Sequence, residues 1–113
     1  MFDNPEAILA AQKLTDAIAS LDSDVFASIY ADDAVIWHNT TNAVQTKAEN
    51  VALLGKVFDL MSELGYRDIT RLPTPEGFVQ YHTLAGRFKD GTAAPDLRAC
   101  IVATVKGDKT VKL

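Results

Sequence analysis

A chain of 113 residues is long enough to form one domain with a buried core and too short to form two. Its hydrophobic share of 48% and charged share of 23% are ordinary for a globular protein and argue against a disordered or low-complexity chain. The formal charge of -4 comes from 15 acidic and 11 basic residues, and no basic stripe is available for phosphate groups. We therefore expect no nucleic-acid partner.

The start of the chain, Met1 to Glu6, carries acids where a secretory signal needs a basic flank and an apolar run. No apolar stretch approaches membrane-spanning length. We expect a cytoplasmic protein with no membrane partner. The single cysteine, Cys100, cannot form an internal disulfide, and no Cys and His spacing typical of a metal site is present. Cys100 is predicted to be a small core residue.

Two helices are predicted before the first strand. The Asn4-Pro5-Glu6 segment supplies an N-cap acceptor, a proline ring that already holds the helical φ, and an acid near the positive end of the helix dipole. Apolar residues then recur at three- and four-residue steps on one face, namely Ile8, Ala11, Leu14, Ile18 and Leu21. The run 22–24 interrupts this pattern and supplies capping oxygens for a short second helix, which carries Val25, Phe26, Ile29 and Tyr30.

A short strand follows the helices. Val35-Ile36-Trp37 is β-branched and aromatic, and polar residues bound it on both sides. Alternation puts Ile36 and His38 on one face of this strand and Val35, Trp37 and Asn39 on the other.

The next predicted element is a long helix. Thr46 and Glu49 have the spacing of a capping box, in which each side chain satisfies a backbone donor near the other residue. Gly65 is predicted to end the helix in the left-handed conformation. The predicted buried stripe consists of Val51, Leu54, Val57, Phe58, Met61 and Leu64.

In the rest of the chain, turn residues separate strand-like segments, as is typical of an antiparallel meander. Strands are predicted over 66–72, 78–89 and 97–106, with a last strand opening at 110, and a turn is predicted over 73–77. One face of the long second strand consists of Phe78, Gln80, His82, Leu84, Gly86 and Phe88, and the other carries Tyr81, Thr83 and Arg87. Gly86 suggests a bulge or bend of the kind that lets a sheet curl around a helix.

This order of elements predicts a single α+β domain over 1–113, in which a strongly curved, mostly antiparallel sheet wraps a long helix. The layout, with the segments Ile-Tyr-Ala-Asp-Asp-Ala-Val-Ile-Trp-His-Asn at 29–39 and Gly-Phe-Val-Gln-Tyr-His-Thr-Leu-Ala-Gly at 77–86, resembles the SnoaL-like branch of the NTF2-like superfamily of cone-shaped α+β barrels. The resemblance covers nearly the whole chain. It implies an apolar cavity at the open end of the cone and a homodimer formed through the sheet.

That superfamily includes steroid isomerases, polyketide cyclases and epoxide hydrolases, so the fold does not choose the function. Aligned on residues 30–34, the general-base aspartate of the isomerases corresponds to His38, which can still accept a proton at neutral pH. Their oxyanion tyrosine corresponds to Leu14, and their protonated acid to the strand around Ala99 and Ile101, where this chain has no carboxyl group. Without these donors an enolate has no evident stabiliser, which argues against steroid isomerase activity.

The other enzymes of the superfamily match in part. Epoxide hydrolases need an arginine between two carboxylates, and Arg87 and Arg98 lack a carboxylate at strand spacing. Polyketide cyclases rely on a cavity-facing histidine, which His82 can supply, and on an acid that often lies in a Glu-Tyr-x-Asp-like segment of the last strand. This sequence stops at Leu113 without that segment. The acid therefore stays unassigned, and we expect an abbreviated last strand, as in a shortened version of a longer chain.

Two classes of function remain open. In the first, the chain binds an apolar, carbonyl-containing small molecule in a pocket whose lining includes Tyr30, Trp37, Asn39, Phe58 and Tyr81. In the alternative, it is a SnoaL-like enzyme of the cyclase or isomerase type, in which His38 or His82 moves a proton without a metal or organic cofactor. Each histidine can equally be a hydrogen-bonded core or rim residue, and Trp37 can be a core or dimer-interface residue. The lack of a carboxylate–histidine pair on the strands favours binding.

Overall fold

The structure is a computed structural model that describes residues 4–38, 42–107 and 109–112. Its elements are α1 (Pro5–Ser20), α2 (Ser23–Ala27), β1 (Tyr30–His38), β2 (Ala43–Thr46), α3 (Lys47–Leu60), β3 (Met61–Pro73), β4 (Gly77–Phe88), β5 (Leu97–Lys106) and β6 (Lys109–Lys112). The strands form a six-stranded sheet in the order β2-β1-β6-β5-β4-β3. All neighbouring pairs are antiparallel except β1 with β6. The predicted α+β fold, with helices packed on a curved and mostly antiparallel sheet, is confirmed.

The two N-terminal helices begin where the sequence predicts. The Asn4 side chain accepts a hydrogen bond from the Ala7 amide at 3.2 Å, and the Asp22 side chain accepts from the amides of Asp24 and Val25. α1 packs on β3, β4 and β5 through a buried face made of Ala7, Ala10, Ala11, Leu14, Ala17 and Ile18. None of the helices in the described ranges is long and apolar enough to cross a membrane.

The prediction that α3 continues to Gly65 is wrong. The helix ends at Leu60, and Met61 already has the extended φ and ψ of -109° and 141°. Residues 61–65 pair instead with β4, from Met61 opposite Phe88 to Gly65 opposite Ala85, and Gly65 is not among the residues with positive φ. Met61 and Leu64 fit a helical stripe and a strand equally well, so pairing with β4 decided between two patterns that the sequence could not separate.

The predicted bulge at Gly86 is also displaced. The register shifts of the β3–β4 pair lie in β3, between Met61 and Glu63 and between Arg67 and Thr70. Gly86 itself is a point of close approach, because a Cβ atom there would lie 2.6 Å from the Glu63 carbonyl oxygen. β3 therefore supplies the irregularity, and Gly86 supplies the space that it needs.

The hairpin formed by β1 and β2 was not predicted, and it explains how α3 is positioned. β2 pairs with β1 from Thr46 opposite Val35 to Ala43 opposite His38, and it is one edge of the sheet. α3 starts directly after β2 and leads directly into β3, which is the other edge. A helix of 14 residues is about 21 Å long, similar to the roughly 24 Å that six strands span. α3 therefore connects the two edge strands of the sheet.

The two faces of the sheet differ as alternation predicts in β1 and β4, but the prediction for Cys100 is wrong. In β1, Ile36 is buried, whereas Trp37 is 49% exposed. In β5, Ala99 and Ile101 lie on the concave side opposite His82 and Gln80, so Cys100, which lies opposite Tyr81, points outward and is exposed. A small apolar residue in a strand is buried only when the alternation of side chains points it towards the core.

Candidate functional site

The helices pack on different parts of the sheet. α1 covers β3, β4 and β5 from one side, while α3 packs chiefly on α2 and β1. Eight apolar side chains that pack against the buried core remain partly exposed, and they include Val51 and Leu54 of α3, Tyr66 of β3, Leu84 of β4 and Ile101 of β5. We call the apolar surface made by these five residues the inner cleft.

His82 lies on the same face of β4 as Leu84, and neighbouring side chains hold its ring in place. The side chain is only 1% exposed. Its imidazole stacks on the phenol ring of Tyr66, with ring centroids 3.7 Å apart and planes inclined by 21°. Its Nδ1 atom lies 3.0 Å from Nε2 of the buried Gln80. The ring is thus fixed by a stacking contact on one face and a hydrogen bond at one nitrogen, which leaves Nε2 for another partner.

The Gln80 amide is held in turn by Arg71 of β3. Arg71 Nε donates to Gln80 Oε1 at 2.8 Å. The same guanidinium donates to Gln12 Oε1 at 2.9 Å and to Thr15 Oγ1 at 2.7 Å, and both of these residues belong to α1. A continuous set of hydrogen bonds therefore runs from α1 through Arg71 and Gln80 to His82.

Electrostatics keep His82 neutral. Burial lowers the pKa of the imidazole from its ordinary value of 6.5, and the positive charges of Arg98 and Arg71 lower it further. Arg98 lies on β5, where its Nη1 donates to Thr83 Oγ1 at 2.7 Å. An uncharged imidazole at pH 7 can both donate and accept one hydrogen bond.

His38 belongs to a second polar cluster, built around Asn50 of α3. The Tyr30 hydroxyl donates to Asn50 Oδ1 at 3.1 Å, and Asn50 Nδ2 donates to Gln45 Oε1 at 3.1 Å. The same Nδ2 lies 3.4 Å from His38 Nε2, which is a weak contact. Tyr30 and Asn50 are buried, whereas His38 at the end of β1 is only half-buried.

The hydroxyls of Tyr30 and Tyr66 lie close enough for their charges to interact. Burial raises the pKa of both Tyr30 and Tyr66 well above the usual range, and the nearby Tyr66 raises that of Tyr30 further. Both hydroxyls therefore keep their protons and can donate hydrogen bonds. Thr110, which lies opposite Tyr30 in β6, has a buried hydroxyl oxygen without a partner in the described part of the chain. The sequence did not single out Tyr66, since its role depends on the β3–β4 register that places it opposite Leu84.

The remaining predicted site residues are dispersed. Phe58 is buried in the core, where its ring packs edge-on against Phe26 at a centroid distance of 6.1 Å. Trp37 and Tyr81 lie on the convex face of the sheet, and Tyr81 is 41% exposed. Trp37 Nε1 donates to Asn42 Oδ1 at 3.1 Å. Asn39 lies outside the described residues. Within the described ranges, no three His, Cys, Asp or Glu side chains are grouped as in a metal site.

A cavity of about 420 Å³ lies at the β3–β4 end of the sheet, beside the segment 93–96. Gly65 and Ala85, which lie opposite each other in the β3–β4 pair, line this cavity. Its rim includes the ion pair between Arg67 and Asp96. We call this cavity the outer groove; neither histidine lines it, but Tyr66 of the inner cleft does. Its charged rim distinguishes it from the inner cleft.

No family model matches this sequence, and neither does any curated protein. Solved structures match its shape. A candidate polyketide cyclase from Xanthomonas campestris pv. campestris has a TM-score of 0.77 at 17% identity, over 96% of this chain and 87% of that one. For an NTF2-like protein from Anabaena variabilis the TM-score is 0.79 at 14% identity, over 99% and 89%. AusH from Aspergillus nidulans gives 0.82 at 14% identity, over 97% and 82%.

The structural matches confirm the likeness to SnoaL-like and other NTF2-like proteins that the sequence predicts. At these identities they define the fold alone. The chemistry of this chain depends on its own residues.

Proposed function

We propose that this chain binds an apolar small molecule carrying a carbonyl oxygen in the inner cleft. The observation that carries the proposal is the buried His82 ring, stacked on Tyr66 next to apolar side chains that are still partly exposed, and its lowered pKa favours the neutral ring. Ligand sites in proteins are typically apolar with a few oriented polar groups. The inner cleft has this composition, whereas the outer groove has a charged rim.

The chemistry of the cleft suits a ligand of this kind. Val51, Leu54 and Ile101 offer partly exposed apolar area, and covering such area stabilises a complex by about 25 cal/mol per Å². The protonated hydroxyl of Tyr66 and an N–H of the neutral His82 ring can donate to a carbonyl oxygen. One such hydrogen bond contributes about 1 kcal/mol net. Apolar area would thus supply most of the affinity, and the donors would orient the oxygen.

Binding is favoured over proton transfer because both histidines face amide nitrogens. Gln80 Nε2 faces His82 Nδ1, and Asn50 Nδ2 faces His38 Nε2. An amide nitrogen only donates, so the lone pair with which each neutral ring could remove a proton is already directed at an amide. Proton transfer by either histidine would require that contact to break.

Tetralone, a bicyclic ketone, tests this proposal against the hydrocarbon tetralin, which lacks the oxygen. Calorimetric titration is expected to show saturable binding of both, with tetralone bound about tenfold more tightly, as one or two hydrogen bonds allow. Leu84→Asp, in the cleft, is expected to abolish binding. Leu9→Asp, at an exposed position in α1, is the matched control and is expected to leave it unchanged. Equal loss in both variants, or no saturable binding by the wild type, would contradict the proposal.

The same ketone separates binding from catalysis. Incubation in D2O followed by mass spectrometry detects exchange of the acidic hydrogens beside the carbonyl group. The proposal predicts binding without accelerated exchange. Accelerated exchange that is lost in His82→Phe would instead favour an enzyme that uses His82 for proton transfer.

We also propose that two copies pair through the convex face of the sheet. Leu72, Val79 and Val102 are aligned across β3, β4 and β5, and Leu72 and Val102 are 53% and 67% exposed. An exposed apolar row on neighbouring strands is typical of an interface. Val102→Lys is expected to produce a monomer in sedimentation equilibrium, whereas Val44→Lys, at an exposed position in β2, should not. An unchanged mass for Val102→Lys, or a monomeric wild type, would contradict this proposal.

A further inference from the structure

In the hydrogen bonds that lead to His82, chemistry alone determines which group donates and which group accepts. A guanidinium group carries only donors, so the Gln80 atom that lies 2.8 Å from Arg71 Nε must be the amide oxygen. The amide nitrogen of Gln80 is then the atom that faces His82 Nδ1 at 3.0 Å. The presence of Arg71 therefore settles an amide orientation that would otherwise be ambiguous.

The direction continues into the imidazole. The Gln80 amide nitrogen has two protons and no available lone pair, so His82 Nδ1 has to accept. A neutral imidazole carries one proton, and when Nδ1 accepts, that proton is on Nε2. The second nitrogen of the ring is therefore a donor.

We infer that Arg71 and Gln80 are positioning residues that hold His82 in the Nε2–H tautomer, so that the cleft binds ligands with a hydrogen-bond acceptor in preference to ligands with a donor. The statement about ligands rests on the proposed function. The statement about the tautomer does not.

Several contacts make this arrangement stiff. Gln12 and Thr15 anchor the guanidinium to α1, so Arg71 cannot turn away without losing two more hydrogen bonds. Tyr66 stacks on the imidazole and fixes the plane of the ring. Proton uptake by His82 would bring an N–H against the Gln80 amide protons, a conflict that acts in the same direction as burial and the charges of Arg98 and Arg71, which lower the pKa of this imidazole.

The tautomer can be measured without any ligand. A long-range ¹H–¹⁵N correlation spectrum of the ¹⁵N-labelled protein, recorded above pH 7, distinguishes a protonated from an unprotonated ring nitrogen by its shift. The inference predicts a protonated Nε2 and an unprotonated Nδ1 for His82. A protonated Nδ1, or two averaged signals typical of exchanging tautomers, would overturn it.

Substitutions at two glutamines test the cause. In Gln80→Glu the carboxylate still accepts from Arg71 but has no N–H to donate, so Nδ1 is expected to take the proton. Gln12→Glu places the same new negative charge beside Arg71 without contacting His82, and this variant is expected to keep the Nε2–H tautomer. A third variant, Arg71→Met, removes the group that orients Gln80 and is expected to give a mixture of tautomers. The inference fails if Gln12→Glu and Gln80→Glu shift the ring signals alike, or if Arg71→Met leaves them unchanged.

Two bicyclic probes test the ligand preference. Tetralone only accepts hydrogen bonds, and indole only donates through its N–H. The ratio of their affinities in the wild type is expected to favour tetralone and to fall about tenfold in Gln80→Glu, as expected for one exchanged hydrogen bond. A ratio that does not change although the tautomer does would contradict the ligand preference. If neither probe binds, the proposed function fails, and the ring spectra still decide the tautomer.

Discussion

The two histidines of this chain lie in similar sequence surroundings and in different physical ones. Each follows an aromatic residue on a strand, and each has a side-chain amide beside one ring nitrogen. His82 is buried in β4, between β3 and β5, and it is stacked and oriented. His38 lies half-buried at the end of β1, beside an amide at 3.4 Å. Position within the sheet, more than residue type or neighbouring sequence, makes His82 the better candidate for function.

The largest effect that separates the two sites is expected from removing His82. His82→Ala leaves a space beside Tyr66 and a buried Gln80 amide without its acceptor, and we expect it to lower the free energy of unfolding by roughly 3 kcal/mol. Urea denaturation measures this directly. A loss below about 1 kcal/mol would mean that the ring is not packed as described.

The centre of the His38 cluster is expected to be next in size. Asn50→Ala removes the partner of the buried Tyr30 hydroxyl, and we expect a loss of about 2 kcal/mol in the same denaturation assay. Tyr30→Phe removes the other half of that hydrogen bond without leaving an unpaired hydroxyl, and it is the control, with an expected loss of about 1 kcal/mol. Equal losses would show that the unpaired hydroxyl carries no penalty.

The pH dependence of stability should distinguish the histidines. The pKa of His82 in the fold lies below its ordinary value of 6.5, because of burial, Arg98 and Arg71, and its ring also faces the neutral Tyr66. Between the two pKa values the unfolded chain binds more protons, so stability rises with pH. The stability that the neutral His82 contributes is fully present above about pH 6.5, which is the ordinary pKa of histidine. It is lost as the pH falls towards the pKa of His82 in the folded protein.

Unfolding free energies at a series of pH values check this prediction. His82→Phe, which can keep the ring stack on Tyr66, is expected to lose this part of the dependence, whereas His38→Gln is expected to retain it. The same slope in the wild type and in His82→Phe would assign the dependence to other groups.

The smallest effect is expected at His38 itself. Its contact with Asn50 is long, and the side chain is half-buried, so His38→Ala should change the free energy of unfolding by no more than about 0.5 kcal/mol. Denaturation curves of His38→Ala and His82→Ala measured side by side make the comparison. A cost above about 2 kcal/mol at His38 would remove the distinction between the sites.

Much of the fold could be predicted because local signals and the resemblance agreed. The caps at Asn4 and Thr46, the turn over 73–77 and the strand over 97–106 all lie where the sequence places them. The end of α3 could not be found, since Met61 and Leu64 fit a helix as well as a strand, and the choice depends on pairing with a strand more than 20 residues away. β2 was missed because four residues between polar segments give little periodicity.

The candidate site was predicted only in part. Alternation correctly put Gln80 and His82 on the core face of β4. Arg71 and Tyr66 were not connected to them, because the bulge between Arg67 and Thr70 changes which face of β3 each residue occupies. Contacts that depend on a register shift between strands leave no local pattern in the sequence.

The most direct test of the proposed site is a titration of the ¹⁵N-labelled, methyl-labelled protein with tetralone, observed by NMR at pH 7.5. A ligand in the inner cleft is expected to shift the His82 Nε2–H signal and the methyl signals of Leu84 and Ile101 with one common saturation curve. Saturable shifts confined to Gly65 and Ala85, in the outer groove, would contradict this account.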